Sequence, residues 1–306
     1  MKDLETSMTY HLPVMLNECI EGLNIRPDGT YVDVTFGGGG HSRAIMERLG
    51  PDGRLIGFDQ DDDALQNALD DSRFVLIHEN FRYLKNYLRL HAVRKVDGVL
   101  ADLGVSSHQF DEADRGFSTR LNGELDLRMD RRQELTAKDL VNNLDERELT
   151  GLLRLYGELP NALQMAKAIC KARAEKAIET TFDLRQAVER HLPRGMENKY
   201  LAMLFQALRI EVNGELDALQ AMLQQAVEIL NPGGRLVVMS YHSLEDRLVK
   251  NFFKTGNFEG KLEKDFYGNA IVPLKPVTRK PVTASEEELQ QNNRSRSAKL
   301  RVAEKL

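Results

Sequence analysis

The sequence predicts an α/β fold in which a mostly parallel sheet is interrupted by an inserted, all-helical block. Short β-branched and aromatic runs alternate with helical segments in the first third of the chain, which is typical of a parallel sheet. From about residue 136 to residue 230 helical periodicity takes over and no convincing strand is found. A further strand at Leu236 to Ser240 resumes the sheet pattern, so the helical block is expected to be an insertion.

The predicted strands are placed by turn residues on either side of short apolar runs. The first strand, Tyr31 to Val34, follows Pro27-Asp28-Gly29 and ends at four consecutive glycines. A helix is expected from Ser42 to Leu49, and the breaker cluster Gly50-Pro51-Asp52-Gly53 separates it from the next strand. That strand and two more before the block are expected at Arg54 to Asp59, Phe74 to Ile77 and Val96 to Ala101.

Apolar stripes at helical spacing indicate a core inside the block. They are formed by Leu149, Leu152, Leu153 and Tyr156, and by Ala162, Met165, Ala166 and Ile169. Asp145 with Glu148, and Ser243 with Asp246, match a helix-capping pattern. We expect one discontinuous domain of residues 1–112 and 212–306, with residues 113–211 as the inserted helical domain.

Composition and charge narrow the function classes. With 306 residues and 42% hydrophobic content, the chain can bury a substantial core. Its net charge of -5 excludes an overall basic protein that is steered to nucleic acid by its own field, so any RNA contact has to be local. Cys19 and Cys170 lie far apart without CxxC spacing, which indicates a reducing compartment and argues against a disulfide or a thiolate metal site. No apolar run approaches the length of a membrane span, and a cytoplasmic protein is expected.

The last segment of the chain, Lys275 to Leu306, is locally basic toward its end. The cations concerned are Arg294, Arg296, Lys299 and Arg301. A solvated, charge-balanced surface and a strip that contacts phosphate groups explain them equally well, and the sequence leaves both interpretations open.

The sharpest local feature is the run Phe36-Gly37-Gly38-Gly39-Gly40-His41-Ser42 between the first strand and the following helix. Glycine lets the backbone approach a ligand closely, so a nucleotide-type cofactor site is expected. The dinucleotide fingerprint G-x-G-x-x-G, counted from Gly37, ends on Ser42, so the match is incomplete and the loop does not choose the cofactor. Asp59 ends the second strand 22 positions after Gly37, which suits a carboxylate that accepts hydrogen bonds from two ribose hydroxyls. The neighbouring run Asp61-Asp62-Asp63 offers helix caps and a solvated acidic cluster.

Two more strand ends carry polar residues toward the same edge of the sheet. Asp102 follows the apolar run Val99-Leu100-Ala101, and Tyr241-His242 follows the last predicted strand. Open α/β sheets bind their ligands at this edge, so Asp102 is expected in the crevice and His242 across it. The seven histidines include no HExxH pair, and neither a GxSxG elbow nor a GxxxxGK[ST] loop occurs. Hydrolase and NTPase functions are therefore disfavoured.

Eight sequence blocks, taken in order, resemble the bacterial RsmH family, also called MraW, which are cytosine-N4 methyltransferases of 16S ribosomal RNA. Besides the glycine loop, the blocks are His11-Leu12-Pro13-Val14, Asp97-Gly98 with Asp102 to Ser107, Arg115 to Ser118, Leu125 to Asp130, Phe205 to Ile210, His242 to Arg247 and Arg296 to Arg301. The resemblance covers nearly the whole chain. It implies a class I methyltransferase sheet (Rossmann-like), a helical substrate-recognition domain, and S-adenosylmethionine as the cofactor instead of NAD.

The resemblance also implies site residues, position by position. The residues at the methionine end of the cofactor would be Gly39, Gly40 and His41, with Asp59 at the ribose, Phe81 near the adenine, and Asp102 and Gln109 completing the pocket. The implied substrate is a decoding-centre cytosine of the small ribosomal subunit, methylated on its exocyclic nitrogen. The chain departs from the common pattern of the family at His108, Tyr156-Gly157-Glu158-Leu159 and Met203. It departs also at Tyr241, where the family usually has phenylalanine. These departures concern RNA docking and leave the cofactor site intact.

The implied reaction depends on positioning. A sulfonium is an activated methyl donor, so neither a metal nor a covalent nucleophile is expected. The lone pair of the cytosine amine is delocalised into the ring, and an acceptor that holds the amine hydrogens has to turn it toward the methyl carbon. Asp102, or a carbonyl group beside it, is the predicted acceptor, and Asp102 is the first predicted catalytic residue. His242 is the second predicted catalytic residue, as an acceptor of the proton that leaves after transfer.

Two other function classes stay open on the sequence. A nicotinamide-dependent oxidoreductase would use the same strand, glycine loop and distal Asp59. A noncatalytic RNA-binding assembly factor would keep a degenerate cofactor fold. If the protein is a methyltransferase, its expected partner is 16S rRNA within the small ribosomal subunit. No association with a membrane is expected. Whether the substrate is naked RNA or an assembled subunit, and whether the protein forms a homodimer, are left open.

Overall fold

The computed structural model describes residues 13–306, apart from the side chain of Ser107, so His11 and Leu12 of the first resembling block lie outside the described residues. The strands are β1 (Thr30–Asp33), β2 (Arg54–Asp59), β3 (Phe74–His78), β4 (Val96–Asp102), β5 (Leu230–Ser240), β6 (Leu274–Pro276) and β7 (Lys299–Lys305). Within the described residues they form one sheet in the order β3-β2-β1-β4-β5-β7-β6. The strands from β1 to β5 pair in parallel, and β7 is antiparallel to both β5 and β6. The predicted mostly parallel sheet is confirmed.

The five predicted strands are all present, and four of them agree with the structure to within one residue at each end. The fifth, β5, begins at Leu230 instead of Leu236. Its pairing with β4 shifts between Leu230 and Arg235, so the turn residues Asn231 to Gly234 form a bulge inside the strand. The preceding helix ends at Ile229, directly before this strand.

Helices cover both faces of the sheet and fill the interval between β4 and β5. They are α1 (Leu16–Leu23), α2 (Gly40–Met46), α3 (Leu84–Leu90), α4 (Ser107–Asp111), α5 (Ala137–Asn143), α6 (Glu146–Leu155), α7 (Ala162–Glu175), α8 (Thr181–Val188), α9 (Glu197–Asn213), α10 (Glu215–Ile229), α11 (Ser243–Thr255) and α12 (Glu286–Gln291). None of these described helices has the length and apolar composition that crossing a bilayer requires.

The sheet has a separate hydrophobic core on each face, because successive side chains of a strand point in opposite directions. Tyr31 and Leu55 are buried with residues of α1 and α2. Their neighbours Val32 and Ile56 are buried on the other face with residues of α3, α10 and α11. Strands buried on both faces read as continuous apolar runs, which is why β2 and β4 were predictable.

The helices from α5 to α9 surround a third core that is distinct from the two cores of the sheet. All four residues of the α7 stripe, and Leu149, Leu152 and Leu153 of the α6 stripe, are buried in it. The last helix of this group, α9, ends at Gly214, whose positive φ of 56° turns the chain directly into α10. Asn213 fixes this turn, since its side chain accepts a hydrogen bond from the Met129 N–H and donates to the Leu127 carbonyl.

The C-terminal segment contains a strand that the charge pattern concealed. Lys299 and Arg301 lie on β7, and the Arg301 side chain is only 10% exposed. Its Nε lies 2.7 Å from Oδ1 of Asp246, and Nζ of Lys299 lies 3.5 Å from Oδ2 of the same carboxylate. For Arg301 both interpretations are therefore wrong, because its side chain is buried against Asp246. Lys299, whose side chain is 44% exposed and paired with the same carboxylate, fits the solvated, charge-balanced surface.

One of the two predicted caps is confirmed and the other is wrong. Asp145 and Glu148 form a reciprocal capping box at the start of α6. At the start of α11 the N-cap is His242, whose Nδ1 accepts from the Glu245 N–H, so the cap lies one residue before the predicted Ser243. The Asp246 carboxylate accepts a hydrogen bond from Arg301 and does not take part in the cap.

Candidate active site

A cavity of about 1330 Å³ opens at the carboxyl edge of the parallel strands. The glycine loop after β1, the end of β2 and the end of β4 form one wall, with Gly37, Asp59 and Asp102 among the lining residues. Arg209 and Glu215, at the junction of α9 and α10, line the opposite side, and residues 291–294 and 297 close a third. The sheet, the helical block and the C-terminal segment thus meet at one site, at the edge where open α/β sheets bind ligands.

The glycine loop gives the cavity a bare backbone surface. Gly37 and Gly38 line the cavity, and no atom of the described residues lies within 4 Å of the position that a Cβ would take at either residue. Gly39 does not line the cavity. It is the N-cap of α2 and has a φ of 74°, and a Cβ there would lie 2.9 Å from the ring of Phe36. Gly40 lines the cavity, but its Cβ would lie 2.2 Å from Cγ of Pro13. The first two glycines therefore provide ligand space, and the last two allow the loop to pack.

Asp59 lies in the cavity wall at the end of β2 and ties the glycine loop to the sheet. Its Oδ2 accepts a hydrogen bond of 2.7 Å from the Gly37 N–H, and its Oδ1 accepts one of 2.9 Å from the Asp61 N–H. Burial raises the pKa of Asp59 to about 6, against the effect of these two hydrogen bonds. Each carboxylate oxygen has a second lone pair, so the predicted contact with ribose hydroxyls is compatible with this arrangement.

Phe81 and Gln109 also line the cavity, as the resemblance implied. The ring of Phe81 packs on the core of the sheet beside α3. Gln109 is engaged by protein groups: its Nε2 donates to Oδ2 of Asp61, and its Oε1 accepts from the Ser106 N–H. Gln109 therefore shapes the wall by holding Asp61 in place.

Sequence reasoning missed Arg115, which is the centre of a buried ionic network below this wall. Its side chain is 2% exposed and donates to both oxygens of Asp61 and to Asp63. It also donates to the carbonyl groups of Arg128 and Met129, at the start of the helical block. Although burial opposes it, hydrogen bonds from Arg115 and Gln109 lower the pKa of Asp61. The acidic run is therefore partly internal, whereas the sequence suggested a solvated cluster.

Asp102 ends β4 with its carboxylate in the cavity wall and its side chain 23% exposed. The Tyr241 hydroxyl donates a 2.7 Å hydrogen bond to Oδ1, and Nδ1 of His41 lies 3.9 Å from Oδ2. Burial raises the pKa of Asp102 to about 6, while His41 and the Tyr241 hydrogen bond act in the opposite direction. The second ring nitrogen of His41 lies 3.0 Å from the carbonyl oxygen of Val14. Asp102 and His41 are thus brought together at the cavity. The expectation that the departure at Tyr241 concerns only RNA docking is wrong, because its hydroxyl contacts Asp102 in the cavity wall.

His242 is placed differently from Asp102. It is not among the residues that line the cavity, whereas its neighbours Tyr241 and Glu245 are. Its side chain is 8% exposed, and Nε2 lies 3.2 Å from Oε1 of Glu245. The structure therefore places His242 behind Glu245, and Asp102 is the predicted catalytic residue that reaches the cavity.

The acidic side of the cavity already contains one buried cation. Glu215, His242 and Glu245 each have a side-chain atom of the kind that binds metal ions, and these three atoms lie within 4.8 Å of one another. Arg209 binds both oxygens of Glu215, through Nε at 2.7 Å and Nη2 at 2.9 Å. A guanidinium therefore balances this cluster.

The lining of the cavity as a whole is rich in carboxylates. Among the residues that the structure describes, eight acidic side chains line it, against the three arginines Arg131, Arg209 and Arg294. The acids are Asp59, Asp61, Asp63, Asp102, Asp111, Glu112, Glu215 and Glu245. Such a lining attracts a positively charged ligand. A sulfonium cofactor fits it better than a dinucleotide, whose pyrophosphate is negative.

The order of the sheet, with antiparallel β7 entering beside β5, is that of the class I methyltransferases, and the glycine loop and the acidic ends of β2 and β4 lie at its cofactor edge. Comparison of the sequence narrows this class to one family. Residues 8–306 match the family model described as the MraW methylase family, and the chain belongs to this family. The predicted family, the class I fold and S-adenosylmethionine as the cofactor are confirmed.

Individual relatives agree over their full lengths. A ribosomal RNA small subunit methyltransferase H from Flavobacterium johnsoniae is 55% identical over 303 residues, which cover 99% of this chain and 100% of the relative. The protein of the same name from Bacteroides thetaiotaomicron is 56% identical and covers 97% of this chain and 98% of its own. A solved rRNA methylase from Streptococcus thermophilus aligns at 12% identity with a TM-score of 0.42, covering 95% of this chain and 93% of its own; similarity at that level adds nothing to the family match.

Proposed function

We propose that the protein transfers the methyl group of S-adenosylmethionine to the exocyclic N4 of a cytosine in the decoding centre of 16S ribosomal RNA, within the small ribosomal subunit. The observation that carries this proposal is the Asp102 carboxylate, which reaches the cavity beside the glycine loop. The names of the relatives support ribosomal RNA of the small subunit as the substrate. Membership of a methylase family argues against the nicotinamide alternative.

The cavity would hold two ligands, the cofactor and the target nucleoside, against different residues of its wall. S-adenosylmethionine, when bound, supplies an activated methyl group on a sulfonium. Of the predicted contacts, Asp59 at the ribose, Phe81 near the adenine, and Gly40 and His41 at the methionine end line the cavity. Gly39, which was predicted at the methionine end with them, supports their loop instead. A single small-molecule pocket typically measures about 300–1,000 Å³. A cavity of about 1330 Å³ leaves room for a nucleoside beside the cofactor.

Asp102 has two tasks in the proposed reaction. As the acceptor of a hydrogen bond from the cytosine amine, it turns the nitrogen lone pair out of conjugation with the ring and toward the methyl carbon. The new N–C bond forms as the C–S bond breaks, and the sulfur keeps the electron pair. The methylated nitrogen is acidic, and Asp102, with its pKa raised to about 6, accepts the released proton at neutral pH. His242 then supports the site through Glu245.

The helical block is the proposed site of RNA docking. We assign this role to the predicted inserted domain, residues 113–211. Its helices enclose their own core, and Arg209 of α9 extends from that unit into the cavity. A rigid block joined to the sheet at both ends can present a target nucleotide at a fixed height above the cofactor.

Methyl transfer to isolated small subunits tests the proposal. Small subunits from cells that lack this protein are incubated with the purified protein and labelled S-adenosylmethionine, and the RNA is digested to nucleosides for mass analysis. We expect one N4-methylcytidine per subunit, located at the decoding centre. Label in another nucleoside, or in no RNA although the cofactor binds, contradicts the proposal; the second result favours the noncatalytic assembly factor. Naked 16S rRNA in a parallel reaction shows which form of the substrate is used.

A further inference from the structure

The hydroxyl of Tyr241 is the group that fixes the orientation of Asp102. Among the described residues, Tyr241 is the one that donates a hydrogen bond to the Asp102 carboxylate, at 2.7 Å from Oδ1. We propose that Tyr241, which stands where the resemblance implies a phenylalanine, is a positioning residue for methyl transfer particular to this chain: its hydroxyl holds Oδ1 of Asp102 so that Oδ2 is presented to the cytosine amine. This inference rests on the proposed function.

The fold brings Tyr241 to this position by strand register. Met239 of β5 pairs with Asp102 of β4, so the residue two positions further along β5 lies just beyond the end of β4. The ring of Tyr241 packs with the core on the α1 and α2 face of the sheet, and its Cδ2 lies 3.6 Å from the position of a Cβ on Gly104. Its N–H donates to Oε2 of Glu245 at 3.0 Å. With its backbone and ring both held, the hydroxyl has a fixed location.

A carboxylate without this contact would have two equivalent acceptors. The torsion about the Cβ–Cγ bond of aspartate is broad, so the plane of the carboxylate would vary and the amine would meet an acceptor whose lone pairs have no fixed direction. The hydrogen bond from Tyr241 fixes that plane. On the other side of the carboxylate, Nδ1 of His41 is 3.9 Å from Oδ2, which is longer than a hydrogen bond and leaves that oxygen available. Fixing the acceptor before the substrate arrives lowers the entropic cost of reaching a reactive geometry.

The same contact affects the protonation of Asp102. Besides Tyr241, the titratable groups that face Asp102 are His41 from the glycine loop and α2, Asp33 from β1, Cys19 from α1 and Glu245 from α11. Burial, Asp33 and Glu245 raise the pKa of Asp102, and His41 and the Tyr241 hydroxyl lower it. Loss of the hydroxyl therefore raises this pKa further, and a protonated carboxyl cannot accept the proton of the amine. The acid side of the rate profile would move toward neutral pH.

The variant Tyr241→Phe tests the proposal, because it removes the hydroxyl and keeps the ring. We expect kcat for methyl transfer to fall roughly tenfold, as the loss of one hydrogen bond to a charged group implies, with KM for S-adenosylmethionine within about twofold of the parent. The acid limb of the kcat profile should shift to higher pH. Binding of S-adenosylhomocysteine, measured by calorimetry, should not change. Equal kcat and an unshifted acid limb would show that Tyr241 serves only for packing.

Tyr87→Phe is the matched control. Tyr87 also donates a hydrogen bond to a carboxylate, to Oε2 of Glu79 at 2.9 Å, but it does not line the cavity. We expect this variant to retain the kcat and the pH profile of the parent. If both variants lose activity equally, the loss of any tyrosine–carboxylate contact explains the effect and the inference fails.

Asp102→Asn separates the failure of this inference from the failure of the proposed function. If Asp102→Asn leaves methyl transfer unchanged, Asp102 has no catalytic role, and the proposed mechanism falls together with the inference. If Asp102→Asn abolishes transfer while Tyr241→Phe has no effect, the inference alone is wrong. In the double variant, the loss should equal that of Asp102→Asn, since Tyr241 acts through the carboxylate. A further loss in the double variant would assign Tyr241 a role independent of Asp102.

Discussion

Asp61 and Asp102 lie in the wall of the same cavity, at the carboxyl ends of neighbouring parts of one sheet, yet their surroundings differ in one respect. Asp61 receives hydrogen bonds from Arg115 and Gln109, and its pKa is lowered. Within residues 13–306, the Asp102 carboxylate receives one hydrogen bond, from Tyr241, and its pKa is raised to about 6. The fully paired carboxylate maintains the architecture, and the incompletely paired one is available for chemistry.

The largest effect is expected from breaking the paired side of this comparison. Arg115→Ala leaves Asp61 and Asp63 without their cation, and the Asp61 side chain is only 6% exposed. Removing one partner of a buried ionic network costs about 3–5 kcal/mol, and we expect a loss of that size in the free energy of unfolding, measured with urea. Arg132→Ala is the control, because its guanidinium pairs with Asp130 but is 49% exposed. It should cost less than about 1 kcal/mol, and equal losses in the two variants would contradict the structural role of Arg115.

The second effect is expected from the available side. Asp102→Asn keeps the size of the side chain and removes the charge that draws the amine proton. We expect kcat for methyl transfer to fall by about 10²–10³-fold, as is typical when a group aimed at the reacting atoms is lost. The free energy of unfolding at pH 7 should not fall, because a poorly compensated carboxylate is removed. A loss of stability without a loss of transfer would reverse the roles assigned to Asp61 and Asp102.

Residue identity and order sufficed to predict β1 to β4, since these are short apolar runs and three of them end in aspartate. They did not suffice for β7, where Arg301 reads as an exposed cation because its partner, Asp246, lies 55 positions away. The acidic run shows the same limit. Its capping role was correct, since Asp61 accepts from the Asp63 N–H, but burial by the distant Arg115 could not be read from local charge.

The site residues divide along the same line. Asp59 and Asp102 were found because the end of a buried strand fixes where a side chain goes. His242 was placed in the cavity because it directly follows β5, but as the N-cap of α11 it turns toward Glu245. Arg209 lies on a helix whose direction only tertiary packing decides, and it carried no recognisable signal beyond its place in a resembling block. Contacts between distant segments are what the sequence does not display.

The pH dependence of stability should distinguish the two carboxylates in opposite directions. The folded-state pKa of Asp102, about 6, lies above its unfolded value, so the folded protein binds the extra proton and stability falls as pH rises from 4 to 6. This contribution amounts to at most about 3 kcal/mol. The lowered pKa of Asp61 contributes stability that is present above the unfolded pKa and is lost as pH falls through the folded value.

Unfolding free energies of the parent and of Asp102→Asn, measured between pH 4 and pH 7.5, check the first sign. The advantage of the asparagine variant should grow as pH rises through 6 and vanish near pH 4. A difference that is constant over this range would mean that Asp102 has the same pKa in the folded and unfolded protein.

The smallest effect is expected from adding a methyl group at a glycine. Two glycines with open space at the Cβ position allow a comparison of the cavity wall with a helix outside it. In the part of the chain that the structure describes, a Cβ at Gly38 meets no atom within 4 Å, and neither does one at Gly151 in the middle of α6. Gly38 lines the cavity and Gly151 does not. Gly38→Ala should therefore weaken the binding of S-adenosylhomocysteine about tenfold, since one methyl group in a ligand contact costs on the order of 1–2 kcal/mol, while stability is retained. Gly151→Ala should stabilise the helix by about 0.5–1 kcal/mol and leave binding unchanged. Equal affinity in both variants, measured by calorimetry, would show that the space above Gly38 is not where the cofactor binds.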